Sequence, residues 1–146
     1  MTLERPQQDL THLEKAIRSF NELHERVSDE PFMAQQDDTI RLGLEAGLIK
    51  NFEFTYELCW KAMRRWLANN VSPDVVVGVT RRELFRLAAE SRLIDDVAEW
   101  MTYHAARNQT SHRYGQEIAE EVFVVLGNFG LAAKRLLLTL TEKQDD

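Results

Sequence analysis

Along almost the whole chain, apolar residues recur at steps of three and four, a rhythm that builds helix faces and never settles into the alternation of a strand. Leu10, Leu13, Ile17, Phe20, Leu23 and Val27 form the first such stripe. Pro6 suits the opening turn of this helix, and Ser28-Asp29-Glu30-Pro31 stops it. A second helix begins near Asp37 or Asp38 and sets Ile40, Leu44, Leu48, Phe52, Tyr56, Cys59, Met63 and Trp66 on one face. Phe54 and Leu58 widen that face, so the middle of the helix is expected to be buried on two sides. Asn69-Asn70 and Ser72-Pro73 end it.

Val75, Val76 and Val77 are the one β-like run, too short to found a sheet, and are expected to be a loop or edge contact. Thr80-Arg81-Arg82-Glu83 has the spacing of a capping box, in which the threonine hydroxyl takes an orphan amide and Glu83 reaches back. The helix behind it carries Leu84, Phe85, Leu87 and Ala88 and ends around Arg92. Asp95 or Asp96 caps the next, which carries Val97, Trp100, Met101 and His104. Gly115 breaks or bends the chain, and a last long helix shows Ile118, Val122, Val125, Phe129, Ala133, Leu136 and Leu140. Gly127 and Gly130 in it leave room for a close helix approach. Five helices, three of them long, pack most simply as an all-α, up-and-down antiparallel bundle of the four-helix type with an extra short helix. Residues 1–146 are expected to be a single helical domain around one core.

Charge narrows the function. A formal net charge of -6 opposes indiscriminate nucleic-acid binding, which needs a basic surface to displace counterions. The bases are unevenly spread, however: Lys61, Arg64, Arg65, Arg81, Arg82, Arg86 and Arg92 face only Asp74, Glu83 and Glu90, and no acid falls between Trp100 and Gln116. A solvated, lopsided helix face accounts for this as well as a ligand does. No apolar run approaches the roughly 20 residues of a bilayer span, and MTLERPQQDL lacks the apolar stretch of a signal peptide. Cys59, the only cysteine, sits between Leu58 and Trp60 and is expected to be a small core hydrophobe; a lone thiol fits a reducing, cytoplasmic setting.

The chain carries no Gly-rich phosphate loop, no metal-ligand spacing and no serine elbow, so neither cofactor nor metal is expected. His12 and His24 are expected on a helix surface, and His104, on an apolar stripe, as a satisfied and partly buried imidazole. Ala106 to Tyr114 stands apart, because nearly every side chain in it hydrogen-bonds and none is acidic. On a continuous helix Asn108 and His112 share a face, while Arg107 and His112 diverge by about 140° at roughly 100° per residue. Bringing both to one phosphate requires the helix to loosen or Arg107 to wrap sideways.

The chemistry of such a pair is clear. A guanidinium offers phosphate a permanent charge and a fork of donors, and an imidazole exchanges protons near neutral pH. RNA supplies its own nucleophile in the 2′-hydroxyl, so the protein need only deprotonate it, neutralise the phosphate and protonate the leaving 5′-oxygen. One histidine does not serve both proton steps at once, whereas two copies facing each other in a symmetric dimer do. A polar helix end that bonds only within the bundle explains the same residues without any function.

Arg107-x4-His112-x-Tyr114 matches the signature of HEPN domains (higher eukaryotes and prokaryotes nucleotide-binding). With Asn51-Phe-Glu-Phe-Thr-Tyr-Glu-Leu-Cys-Trp-Lys61 and Arg92-Leu-Ile-Asp-Asp96 followed by Trp100-Met101, the chain resembles the nucleotidyltransferase substrate-binding protein family, a bacterial branch of that group, over nearly its whole length. The resemblance implies a homodimeric bundle with the signature near the dimer interface and a minimal nucleotidyltransferase protein as partner. It implies one of two functions: a metal-independent ribonuclease toxin silenced by AMP transfer from its antitoxin, or a non-catalytic subunit presenting a nucleotide substrate. Carried over residue by residue, Arg107 holds the scissile phosphate, His112 is the acid/base, Asn108 orients the site and Tyr114 accepts AMP. Glu53 and Glu57, in the second-helix block, are expected to be the polar edge of a buried helix.

Overall fold

The helices that bear Glu53, Arg81 and Arg107 are each started by their own capping side chain. In the computed structural model, which describes residues 7–111 and 117–145, the order is α1 (Thr11–Ser28), α2 (Glu30–Ala34), α3 (Asp38–Asn70), a 3₁₀ turn (Pro73–Val76), α4 (Arg81–Glu90), α5 (Val97–Thr110) and α6 (Glu120–Asp145). The Asp37 carboxylate accepts the Ile40 amide at 2.9 Å and opens α3. Thr80 and Glu83 form the reciprocal capping box of α4, at 3.2 and 3.4 Å. Asp96 accepts the amides of Ala98 and Glu99 and opens α5. Each such cap stabilises its helix by about 1 kcal/mol.

The fold is the all-α bundle expected, with one helix more than the apolar pattern indicates. Ser28 to Pro31 reads as a stop, yet the Asp29 carboxylate accepts the Phe32 amide at 3.1 Å and the chain turns directly into α2. Proline is tolerated there because a first-turn residue has no intrahelical N–H bond to lose. The valine run is a turn: Pro73 to Val76 wind into 3₁₀ geometry, and among the described residues there is no strand. Beyond α4, Arg92 adopts a left-handed backbone (φ 61°), and the Leu93 amide folds back to the Ala88 carbonyl at 2.8 Å. This closes the helix as a glycine ordinarily would. Pro6 and Gly115 lie outside the described residues.

α1 packs against α3 and α6, and α5 lies against α3, α4 and α6, so one core runs through all the long helices. Its centre is aromatic. Phe129 of α6 is fully buried and meets Phe20, Phe52, Trp100 and Tyr103 edge-to-face, with centroids 5.0–6.1 Å apart. Cys59 is buried in this core, and burial drives its thiol pKa far up, as expected of an inert hydrophobe. The buried part of α3 begins at Leu48; Ile40, two turns earlier, is half exposed. Gly130 lets α6 approach α1, since a Cβ there would meet the Asn21 side chain and the Phe20 ring.

The same approach corrects the expectation for His24. It is not a surface side chain: its ring stacks between Phe20 (6.0 Å) and Phe123 (5.0 Å), over Gly127. α6 also differs from the reading of uninterrupted apolar runs. Glu120–Gln144 is long and apolar enough, by length and composition, to cross a membrane. The surplus has a structural reason: besides its core stripe, α6 turns Val124, Leu131 and Leu138 outward, one every seven residues.

Candidate functional site

Glu53, Tyr56 and Trp60 lie at i, i+3 and i+7 on α3, so they form one line along the helix surface. Each meets a residue from another part of the chain. Nη1 of Arg107, in the last turn of α5, donates to the Glu53 carboxylate at 3.1 Å; both side chains are largely buried, at 30% and 12% exposure. Glu53 is also 3.9 Å from Lys50 Nζ. It is therefore not merely the polar edge of α3, as its place in the pattern indicates, but the anchor of the arginine. The reason is burial: with little water on either group, each ion is stabilised by the other. Glu57, one turn on, pairs instead with Lys61 at 3.8 Å.

The second rung joins Tyr56 Oη to Nδ1 of His104 at 2.7 Å. Burial lowers the His104 pKa, and the charges of Arg81 and Arg107 lower it further against the opposing pull of Glu57. Burial drives the Tyr56 pKa up, so the phenol keeps its proton and donates it to the neutral imidazole. His104 is thus the satisfied, partly buried histidine expected, but it lies in the field of two arginines. The third rung is Arg81, the first residue of α4, whose guanidinium carbon lies 3.4 Å from the centre of the Trp60 ring.

Of the residues singled out from sequence, Arg107 and Asn108 are placed at the C-terminal end of α5. A cation in that last turn also complements the helix dipole. Arg107 faces α3, whereas Asn108 is exposed and its backbone carbonyl accepts the Ser111 hydroxyl at 2.9 Å. Regular α-helix ends at Thr110, whose hydroxyl donates to the Arg107 carbonyl at 3.1 Å. His112 and Tyr114 lie outside the described residues. The rungs built on Tyr56, Trp60, Arg81 and His104 escape sequence reasoning because aromatic residues at helical spacing read as core. The one available signal was the polar tip each of them carries.

A profile of proteins like the nucleotidyltransferase substrate binding protein matches residues 8–142. A Haemophilus influenzae protein named probable ribonuclease HepT is 32% identical over 136 residues, which are 92% of this chain and 93% of that protein. A solved H. influenzae structure, described as revealing the fold of a substrate binding domain of a nucleotidyltransferase, superposes with a TM-score of 0.85 at 32% identity, covering 91% of this chain and 99% of the other. A Thermus thermophilus structure shares the fold at a TM-score of 0.66 and 24% identity, covering 88% and 98% of the two chains.

Proposed function

The chain belongs to the nucleotidyltransferase substrate binding protein-like family, and from that premise we propose that it is the HEPN partner of a minimal nucleotidyltransferase and cleaves RNA without metal. The supporting observation is Arg107. Its guanidinium is fixed by Glu53 at the end of α5, five residues before His112, while its Nε has no hydrogen-bond partner among the described residues. A buried cation with a spare donor is suited to hold a phosphodiester. In the reaction, His112 accepts the 2′-hydroxyl proton, the 2′-oxygen bonds to phosphorus and the P–O5′ bond breaks. A second imidazole, supplied by the facing protomer of a symmetric dimer, protonates the leaving oxygen. Asn108 orients the site. The products are a 2′,3′-cyclic phosphate and a 5′-hydroxyl. The partner silences the enzyme by transferring AMP to Tyr114, which sets a negative charge and a bulky base beside the pair. The system acts in the cytoplasm as the toxin of a toxin–antitoxin pair.

A second reading is favoured by the description of the superposing H. influenzae structure: a subunit that binds nucleotide for a nucleotidyltransferase and hydrolyses nothing. Incubating purified protein with RNA in EDTA separates the two. Cleavage that leaves cyclic-phosphate ends and disappears in His112→Ala is expected; an intact RNA pool with wild-type protein moves the assignment to the binding subunit. In the presence of the partner and ATP, a mass gain of at least one AMP is expected, absent in Tyr114→Phe.

The dimer is supported by Phe54, next to Glu53 in sequence and 59% exposed despite its size. An aromatic left in water on the helix that carries Glu53 is what a second copy would cover. Light scattering at micromolar concentration is expected to give twice the protomer mass, and Phe54→Glu to halve it. A wild-type monomer would remove the shared site.

A further inference from the structure

Five buried side-chain nitrogen or oxygen atoms lack a hydrogen-bond partner among the described residues, and three of them belong to the α3 line or to the arginines that meet it: Trp60 Nε1, Arg81 Nε and Arg107 Nε. All three are donors with no acceptor capacity. A buried donor left unpaired costs stability, so three gathered on one face point to a ligand rich in acceptors. The geometry of Arg81 fits the same conclusion. Its guanidinium carbon lies over the Trp60 ring at 3.4 Å, which holds the group in place by a cation–π contact. One part of the guanidinium is hydrogen-bonded to the Tyr56 side chain, while its Nε–H is left for an outside acceptor such as a phosphate oxygen. No carboxylate is ion-paired with Arg81 among the described residues, in contrast to Arg107. From Glu53 to Trp60 the line runs about 10 Å, seven residues at ~1.5 Å each.

Resting on the ribonuclease reading, we infer that Arg81, clamped by Trp60, is a second phosphate-binding group, which takes the phosphate neighbouring the one held by Arg107 on a single-stranded RNA. His104, bonded to Tyr56, feels the charge of both guanidinium groups and stays neutral beside them. The subsite extends substrate recognition from the α5 terminus across α3 to the start of α4. There the exposed bases Arg82 and Arg86 continue the positive surface.

The chemistry is that of a phosphate ester, and two sources carry it: an RNA chain and a free nucleotide. The test uses wild-type protein with an uncleavable, fluorescein-labelled 2′-O-methyl oligoribonucleotide and, separately, AMP, titrated across a salt series. Arg81→Gln is expected to weaken oligonucleotide binding about 10- to 100-fold, the range for a hydrogen bond to a charged group. It should also reduce the slope of log affinity against log salt by about 0.7, the loss of one phosphate contact on a single strand. Arg81→Lys should keep the slope and recover part of the affinity, and Arg86→Gln should change affinity far less. AMP binding unaffected by Arg81→Gln assigns the subsite to the chain; an equal loss with AMP assigns it to a mononucleotide. A purely packing role for Arg81 predicts a lower melting point in both Arg81 variants with an unchanged slope, and that outcome overturns the subsite while leaving RNA cleavage intact. Failure of wild-type protein to bind either probe overturns the subsite and the ribonuclease reading together.

Discussion

Replacing Phe129 by alanine is expected to destabilise the bundle by about 3–5 kcal/mol, the range for emptying an aromatic site in a packed core. The residue is fully buried, and its ring is the one that touches aromatic partners from α1, α3 and α5 at once. Edge-to-face pairs add to plain burial, because the positive rim of one ring meets the negative face of another. Four rings converge on Phe129, so its removal leaves a cavity that no single helix movement closes. Domains of this size have only about 5–15 kcal/mol of stability to lose. The melting point should fall by roughly 10 °C or more, and the urea midpoint should drop with an unchanged slope. Phe129→Leu, which keeps an apolar group in the hole, should cost markedly less. A change below about 1 kcal/mol in the alanine variant, far under the cost of an unfilled cavity, would mean that the ring cluster does not hold α6 in place.

How much of this was legible in the sequence depends on how local the cause was. The α4 capping box and the α5 cap are local, since donor and acceptor lie within three residues; the first is readable from Thr80 and Glu83, and the second narrows to Asp95 or Asp96, of which the structure uses Asp96. The buried stripes of α1 and α6 follow from helical period alone, because a stripe must face something apolar. α2 was hidden by a proline that reads as a stop, although a first helical turn accepts it. The burial of His24 is not encoded locally, because the α6 surface that covers it lies far along the chain. The site divides in the same way. Arg107 and Asn108 stand out as candidates because a run of hydrogen-bonding residues without an acid is visible in one dimension. The Glu53 anchor, the Tyr56–His104 bond and the Trp60–Arg81 stack each join distant segments, and no periodicity encodes them.

That division bears on the variant with the largest expected effect on activity. Arg107→Ala is expected to reduce RNA cleavage by about 10²- to 10³-fold, the usual loss when one fixed donor to developing phosphate charge is removed. The same substitution leaves Glu53, only 12% exposed, with only Lys50 Nζ at 3.9 Å to balance it, which should cost about 1–3 kcal/mol of stability. Lost activity in that variant alone would therefore be ambiguous between chemistry and folding. The double variant Glu53→Gln/Arg107→Ala resolves it, because a neutral amide no longer needs a cation. Its melting point should return most of the way to wild type while cleavage stays low. Glu53→Gln alone keeps the guanidinium but releases its anchor, and should give a smaller loss in rate with tighter phosphate binding, since the carboxylate no longer competes. Arg107→Lys should rescue little, because an ammonium supplies the charge without the planar fork. Recovery of cleavage in step with stability in the double variant would show that Arg107 only holds α5 against α3, and the phosphate would have to be held elsewhere.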